Sequence, residues 1–205
     1  MGKLIEESCA GFTELVASRA PAPGGGGAAA LVAAIGIALG DMVGELTVGK
    51  SAYAQVEDEL RSLMERAQEL RVRLLELVDE DKENFEPLSA AYKLDKNDPN
   101  RDAIMEECLR TAAAGPAEIL DLACESIELQ KGFAEKGARI MLSDAATGVA
   151  MARAALQGAA VNVKINTKLM KDRDYAELLD EHVDEQMKKY LSLAEEIFRN
   201  IYKAM

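Results

Sequence analysis

The strongest constraint on the fold is an apolar stripe that keeps one register from Val56 to Tyr92. Its steps alternate between three and four residues, the spacing that places side chains on one face of an α-helix, whereas a strand would alternate every second residue. The pattern therefore predicts one long helix over residues 53–92. The apolar positions are Val56, Leu60, Leu63, Ala67, Leu70, Leu74, Leu77, Phe85, Leu88 and Tyr92.

The other segments show the same helical period, so we predict an all-α fold in one domain over residues 1–205. Aromatic residues make up only 4% and Trp is missing, so the core must consist of small aliphatic side chains, which favours packed helices. We expect a bundle of long, mostly antiparallel helices with the nearly all-apolar helix after Ser143 at its centre. The predicted helices cover residues 3–17, 28–48, 53–92, 99–113, 116–137, 143–171 and 175–205.

The length of the stripe also predicts a homodimer. At 1.5 Å per residue the helix over residues 53–92 is about 60 Å long, which is longer than the core of one such domain. A second copy of the chain would cover the remainder of its apolar face.

Charge and cysteine content exclude several classes of protein. The net charge of −12 argues against a nucleic-acid partner, which requires clustered Lys and Arg. Three separated cysteines without a CxxC pair fit reduced thiols in the cytoplasm, and a single His leaves no convincing set of metal ligands. Residues 20–40 carry no charge, but their Pro, Gly and Ala content indicates a buried core helix, so we expect no membrane contact.

Asp81 is the first candidate catalytic residue. It occupies the one position of the stripe, between Leu77 and Phe85, that lacks an apolar side chain. A carboxylate in an apolar seam costs several kcal/mol unless it is paired, and burial raises its pKa towards the range of a general acid or base. The alternative is a buried Asp that only bonds a neighbouring helix. Asn84 follows one turn later, near the same face.

A run of four glycines, Gly24, Gly25, Gly26 and Gly27, leads directly into the apolar helix that follows. Backbone N–H groups without side chains at a helix start allow close approach of a ligand anion or carbonyl oxygen. The run matches neither a Walker motif nor a dinucleotide fingerprint. A flexible loop is the alternative interpretation.

Further polar residues stand at helix positions where they are candidates for substrate binding. Asn162 and Asn166 lie four apart in a mostly apolar helix and suit either recognition of a polar ring or bridging between helices. Lys50, which follows an apolar helix, is a candidate clamp for a carboxylate or a favourable partner of the helix dipole. Ser143 and Asp144 begin a helix, where such residues also act as caps.

Three stretches together resemble the cyclodeaminase/cyclohydrolase family. They are SRAPAPGGGGAAALVAAIGIALGDMVGELTVGKSAY, LVDEDKENFEPLSAAYKL and SDAATGVAMARAALQGAAVNVKINTKLMKD, and they follow one another in the family's order and spacing. The family includes the C-terminal domain of formiminotransferase-cyclodeaminase and stand-alone bacterial methenyltetrahydrofolate cyclohydrolases. Its members are all-helical dimers that bind tetrahydrofolate derivatives.

The resemblance assigns several of these residues to family positions. The glycine run matches the family's glycine loop, although cyclodeaminases usually carry Ser in place of Gly27. Asp81 matches the acidic position of the long helix. The Ser-Asp and Asn-Val-x-x-Asn motifs match at Ser143 and Asn162. The chain has Gly137-Ala138 where the family often has Gly-Asn, so a contact made by that Asn is missing.

The resemblance implies a folate substrate and no cofactor. Because the chain has no formiminotransferase segment and carries Gly27, we expect a cyclohydrolase that interconverts 5,10-methenyl- and 10-formyl-tetrahydrofolate. A stand-alone cyclodeaminase that releases ammonia is one alternative. A folate-binding helical protein without catalytic activity is the other.

Overall fold

The computed structural model describes residues 2–205, and no strand occurs among them, which confirms the predicted all-α fold. Three short 3₁₀ turns, Leu4–Glu6, Ser51–Val56 and Arg139–Met141, connect the helices. The six α-helices are α1 (Cys9–Val16), α2 (Gly25–Glu45), α3 (Glu57–Ala91), α4 (Arg101–Lys136), α5 (Leu142–Thr167) and α6 (Arg173–Ala204).

The apolar stripe of α3 is filled within one chain, because α3 packs against both α2 and α4. Leu60, Leu74 and Leu88 are each at most 1% exposed. Beyond the end of the helix, Tyr92 is 47% exposed and lies outside the core. The length of α3 therefore gives no reason to expect a dimer, and a dimer must be argued from another surface.

The predicted break at Gly115-Pro116 is wrong, because α4 continues through both residues. Proline has no N–H, so the carbonyl of Ala112, four residues earlier, loses its helical partner. The side chain of Asn166 in α5 supplies the missing donor, with Nδ2 3.2 Å from that carbonyl oxygen. A contact between helices thus compensates the local defect that the sequence pattern interpreted as a helix end.

Helices α2 and α5 run antiparallel at very short separation. A side chain at Gly36 would lie 3.1 Å from the Gly148 carbonyl, and one at Gly158 would lie 3.2 Å from the Cβ of Ala29. At the end of the pair, Gly25 lies against Asn162. The small residues of α2 therefore allow close packing, and the start of α2 meets the end of α5.

The centre of the bundle is shared rather than formed by α5 alone. This helix contacts α2, α4 and α6, as expected, but Val161 and Ile165 on its outer side are 64% and 57% exposed.

Within residues 2–205, α2 is the one helix long and apolar enough to cross a membrane, and 56% of its most apolar window is buried inside the protein. That burial agrees with its interpretation as a core helix.

Candidate active site

Asp81 lies where the middle of α3 passes the start of α2. The N–H of Gly27 donates to Oδ2 of Asp81 at 2.8 Å, while Oδ1 has no hydrogen bond to any residue that the structure describes. No ion pair to Asp81 forms within residues 2–205 either. The carboxyl group therefore has one fixed oxygen and one oxygen that remains for a ligand or a proton.

Burial raises the pKa of the Asp81 carboxyl group above its ordinary value, because the charged form loses water. The hydrogen bond from Gly27 acts in the opposite direction and is the smaller effect. A raised pKa moves a carboxyl group towards the range in which general acid–base catalysis operates.

The glycine run forms the first turn of α2, so its amide groups point out of the helix end. Gly24 stands at the N-cap, and the N–H groups of Gly25 and Gly26 have no partner among residues 2–205. A Cβ at Gly26 would lie 2.1 Å from Oδ1 of Asp81, which no real side chain allows. Glycine is required here because the carboxylate occupies the space of a side chain.

These groups border a cavity of about 210 Å³ between α3, α4, α5 and the loop before α2. The cavity contains Asp81, three of the four predicted glycines and both asparagines of α5, so the structure brings these sequence-predicted residues together. Its lining consists of Pro21, Ala22, Gly24, Gly25, Gly26, Asp81, Phe85, Ala112, Pro116, Asn162, Ile165 and Asn166.

The two asparagines line the cavity and also bridge the backbone. Nδ2 of Asn162 donates to the Gly158 carbonyl at 2.7 Å, and Nδ2 of Asn166 donates to the carbonyls of Ala112 and Asn162. Because the amide nitrogens are engaged, the side-chain oxygens remain as acceptors for a ligand. Bridging between helices is thus present for Asn166, whereas Asn162 bonds within α5, and a role of either residue in ring recognition stays a prediction.

Besides Gly27, four predicted site residues lie outside the lining of this cavity. Asn84 is half-buried and faces Gly115 of α4. Lys50 is exposed beyond the far end of α2, and Ser143 and Asp144 stand in the first turn of α5, whose N-cap is Met141. Since α5 rises 1.5 Å per residue, Asp144 and Asn162 are about 27 Å apart along the helix.

Six residues of the cavity lining were missed from the sequence, namely Pro21, Ala22, Phe85, Ala112, Pro116 and Ile165. Phe85 and Pro116 form apolar walls, and the exposed side chain of Ile165 stands at the rim. Phe85 follows Asp81 by four residues, so its place on the same face of α3 was readable from the helical period. Pro116 and Ile165 gave no comparable signal, because their position depends on how α4 and α5 dock.

A larger cavity, of about 460 Å³, lies at the opposite end of the bundle between α4, α5 and α6. It contains none of the predicted site residues. Within residues 2–205 no group of three or more His, Cys, Asp or Glu side chains is placed to hold a metal ion. The cavity around Asp81 is therefore the candidate active site.

A family model described as formiminotransferase-cyclodeaminase matches residues 8–199. The chain belongs to this family. It is 41% identical over 170 residues to methenyltetrahydrofolate cyclohydrolase of Methylorubrum extorquens, an alignment that covers 81% of this chain and 82% of the relative. The resemblance that the three sequence stretches indicated is thereby confirmed.

Two further relatives carry the other activity name of the family. Formimidoyltransferase-cyclodeaminase of Mus musculus is 34% identical over 178 residues, which span 85% of this chain but only 33% of the mouse protein. The crystal structure of formiminotetrahydrofolate cyclodeaminase from Thermotoga maritima superposes with a TM-score of 0.84 at 28% identity, covering 98% of this chain and 96% of the other. The helical fold of this chain is therefore the fold of that cyclodeaminase.

Proposed function

We propose that this protein is a methenyltetrahydrofolate cyclohydrolase, which interconverts 5,10-methenyl- and 10-formyl-tetrahydrofolate. The observation that carries the proposal is the half-buried carboxyl group of Asp81, which has no ion pair within residues 2–205 and lies in a cavity bordered by backbone N–H groups. The identity of 41% to a cyclohydrolase over most of both chains favours hydrolysis over deamination. A folate derivative is thus the substrate that the site is proposed to bind.

The chemistry requires a group that carries a proton between two positions. Water attacks the cationic methenyl carbon and forms a C–O bond, and Asp81 accepts a proton from that water. When the adduct opens, the bond from carbon to N5 breaks, Asp81 returns its proton to N5, and the hydroxyl proton leaves to solvent as the formyl C=O forms. Oδ1 is the atom available for this transfer, because Oδ2 is held by Gly27.

The charge of the substrate also suits the site. A buried carboxylate without a cationic partner is destabilised, and a bound methenyl cation supplies the missing positive charge. The carboxylate stabilises the cation in return through a low-dielectric environment. Substrate binding is therefore expected to lower the raised pKa of Asp81 and so to produce the ionised base that attack requires.

The absence of a side chain at Gly27 distinguishes this site from the serine that cyclodeaminases usually carry there. A Cβ at Gly27 would lie 3.7 Å from Oδ2 of Asp81, so a serine hydroxyl would reach the carboxylate. The same Cβ would meet the Val78 carbonyl at 3.3 Å, which is tight. The glycine leaves Asp81 with a backbone donor alone.

Spectrophotometry on two substrates tests the assignment. With 5,10-methenyl-tetrahydrofolate, we expect loss of the methenyl absorbance faster than in buffer and formation of the 10-formyl product. With 5-formimino-tetrahydrofolate, we expect no ammonia above background. Ammonia release at a comparable rate would assign the chain to the cyclodeaminases, and tight binding without either reaction would indicate a non-catalytic folate-binding protein.

We propose that the reaction needs no metal or cofactor, because one carboxyl group moves the proton from the attacking water to N5 and the second proton leaves to solvent. A cytoplasmic location, predicted from the reduced thiols, fits the proposed substrate and stays a prediction. The same holds for the predicted lack of nucleic-acid and membrane partners.

We propose a homodimer that forms through an apolar surface on α2 and α5, called here the α2–α5 face. It consists of Ile35 and Met42 on α2, 45% and 37% exposed, and of Val161 and Ile165 on α5. Because the two helices are antiparallel neighbours, these residues lie on one side of the pair. Exposed apolar patches of this kind mark interaction sites, and a second copy carries the same patch.

A two-fold axis near Ile35 would pair the ends of the bundle. The glycine end of α2 in one copy would then lie beside the end of α2 that leads to Lys50 in the other copy. The start of α5, with Ser143 and Asp144, would approach the cavity in the same way. This arrangement would explain why the predicted site residues lie at both ends of one bundle. Ile165 belongs both to the rim of the cavity and to the α2–α5 face.

Replacing Ile35 with Glu is expected to separate the dimer, because two like charges would be buried in an apolar contact near the axis. Sedimentation should show a dimer for the wild type at micromolar concentration and a monomer for the variant, with turnover falling in parallel. Leu178→Glu, at a 73% exposed position of α6, is the matched control and should remain dimeric. A monomeric wild type would refute this interface.

A further inference from the structure

Two backbone donors in the active-site cavity take no part in the proton transfer by Asp81. The N–H groups of Gly25 and Gly26 have no partner among residues 2–205, and both glycines line the cavity. They occupy the first two positions of a 21-residue helix, so they also stand at the positive end of its dipole. Hydrogen-bond donors and a positive field are therefore present at one wall of the cavity.

The side chain of Asp81 faces the same wall. Its Oδ1 has no hydrogen bond to the described residues, and a Cβ at Gly26 would lie 2.1 Å from it, so Oδ1 touches the backbone of Gly26. A water molecule that gives its proton to Oδ1 must lie about 2.6–3.2 Å from that atom. The oxygen that attacks the substrate is thereby placed beside the first turn of α2.

This oxygen carries negative charge later in the reaction. It bonds to the methenyl carbon and gives one proton to Asp81, which leaves a neutral hydroxyl adduct. When the bond from carbon to N5 breaks, its electron pair goes to N5, which takes the proton back from Asp81. The hydroxyl proton passes to solvent, and the electrons of that O–H bond form the formyl C=O. Because Asp81 serves N5 at this step, the oxygen needs another donor.

We infer that the N–H groups of Gly25 and Gly26 form an oxyanion hole for the oxygen that becomes the formyl oxygen. The inference rests on the proposed function, since it concerns the adduct of that reaction. Donors fixed by a helix need no reorganisation when charge develops, and loss of one such donor costs roughly 10² to 10³ in turnover. In the reverse direction, the same donors polarise the formyl group for attack by N5.

Gly25→Pro removes one of the two N–H groups at a position that tolerates proline. Proline is favoured as the first residue of a helix, and Gly24 before it has the extended backbone that a residue before proline adopts. Gly25→Ala also adds a Cβ, which would lie 2.9 Å from Nδ2 of Asn162, but it keeps the N–H. Comparison of the two variants separates the donor from the added side chain.

We expect Gly25→Ala to lower turnover only about threefold, because the far end of the Asn162 side chain has to shift. Gly25→Pro should turn over about 100-fold more slowly than Gly25→Ala in both directions, with KM and melting temperature nearly the same. Cys9→Pro is the matched control. Cys9 is the exposed first residue of α1 and follows Ser8, which is extended, so this variant should keep wild-type turnover.

A backbone ester tests the donor without an added ring. Glycolic acid in place of Gly25 replaces the N–H with an oxygen, and turnover should fall at least about tenfold. The ester decides the question if Gly25→Pro does not fold or disagrees with it. An ester protein with wild-type turnover would overturn the inference and leave the proposed function intact. A wild type without turnover would instead refute the proposed function, and the inference with it.

Discussion

Turnover of methenyl-tetrahydrofolate by Asp81→Asn is expected to fall by roughly 10² to 10⁴, with only a modest rise in KM from the lost attraction to the methenyl cation. Asparagine keeps the size of the side chain and an oxygen that accepts from the Gly27 N–H, but it removes the group that carries the proton. Steady-state kinetics on folded protein measure both parameters. Full activity in the folded variant would refute the role of Asp81.

The same variant should be as stable as the wild type at neutral pH, or more stable. Burial raises the pKa of Asp81 above its unfolded value, so the stability linked to this group is present below the unfolded pKa and is lost as pH rises through the folded pKa. The asparagine side chain does not titrate, so the advantage of Asp81→Asn in free energy of unfolding should grow with rising pH and vanish in acid. Urea denaturation at several pH values measures it.

A purely structural Asp81 predicts the opposite pair of results. The variant would then lose about 1–3 kcal/mol of stability while each folded molecule kept its activity. No nearby carboxyl group is placed to substitute for Asp81. Asp79 accepts the N–H of Leu4 through Oδ1, and Asp144 stands at the far end of α5.

Gly26→Ala is expected to lower turnover about 100-fold while the protein remains folded. The new Cβ would lie 2.1 Å from Oδ1 of Asp81, so the carboxylate must rotate away, and a displacement near 1 Å in a catalytic group costs a factor of this order. The gain in helix propensity of about 1 kcal/mol partly offsets the strained hydrogen bond. Turnover and melting temperature of the same preparation measure both effects.

Gly115→Ala is the matched control for this substitution. A Cβ there would meet only Nδ2 of Asn84, at an ordinary contact distance of 3.6 Å. Because Gly115 lies inside α4, the variant should be more stable by about 0.5–1 kcal/mol and should keep near-normal turnover. If Gly26→Ala kept full turnover, the close approach of Asp81 would have no catalytic importance.

The fold was predictable because most of its helices follow apolar periodicity. The stripe of α3 located Asp81 on the face that packs into the bundle, and the structure places it there half-buried beside Gly27 of α2. The continuity of α4 was not predictable, because Pro116 is tolerated only through a side chain from α5. Rules that use only the local sequence predict a helix end at Pro116. The hydrogen bond that this proline removes is replaced by a side chain that is distant in sequence.

The candidate site was predictable where its residues share one helix or lie next to a helix start. Asp81, the glycines and the two asparagines belong to such patterns, and they meet in one cavity. Lys50, Ser143 and Asp144 did not join them, since sequence order does not reveal which ends of antiparallel helices are adjacent.

The hydrogen bond between Asn166 and the Ala112 carbonyl couples Pro116 and Asn166, both in their substitution among homologues and in folding. A substitution of Pro116 would restore an N–H for that carbonyl and release the Asn166 amide, so the two residues are expected to change together among homologues. During folding, α4 completes its hydrogen bonding only when α5 docks, so this wall of the cavity forms in the same step as the tertiary structure. An isolated α4 peptide would bend or fray at Pro116. The cavity would therefore form only in the assembled bundle.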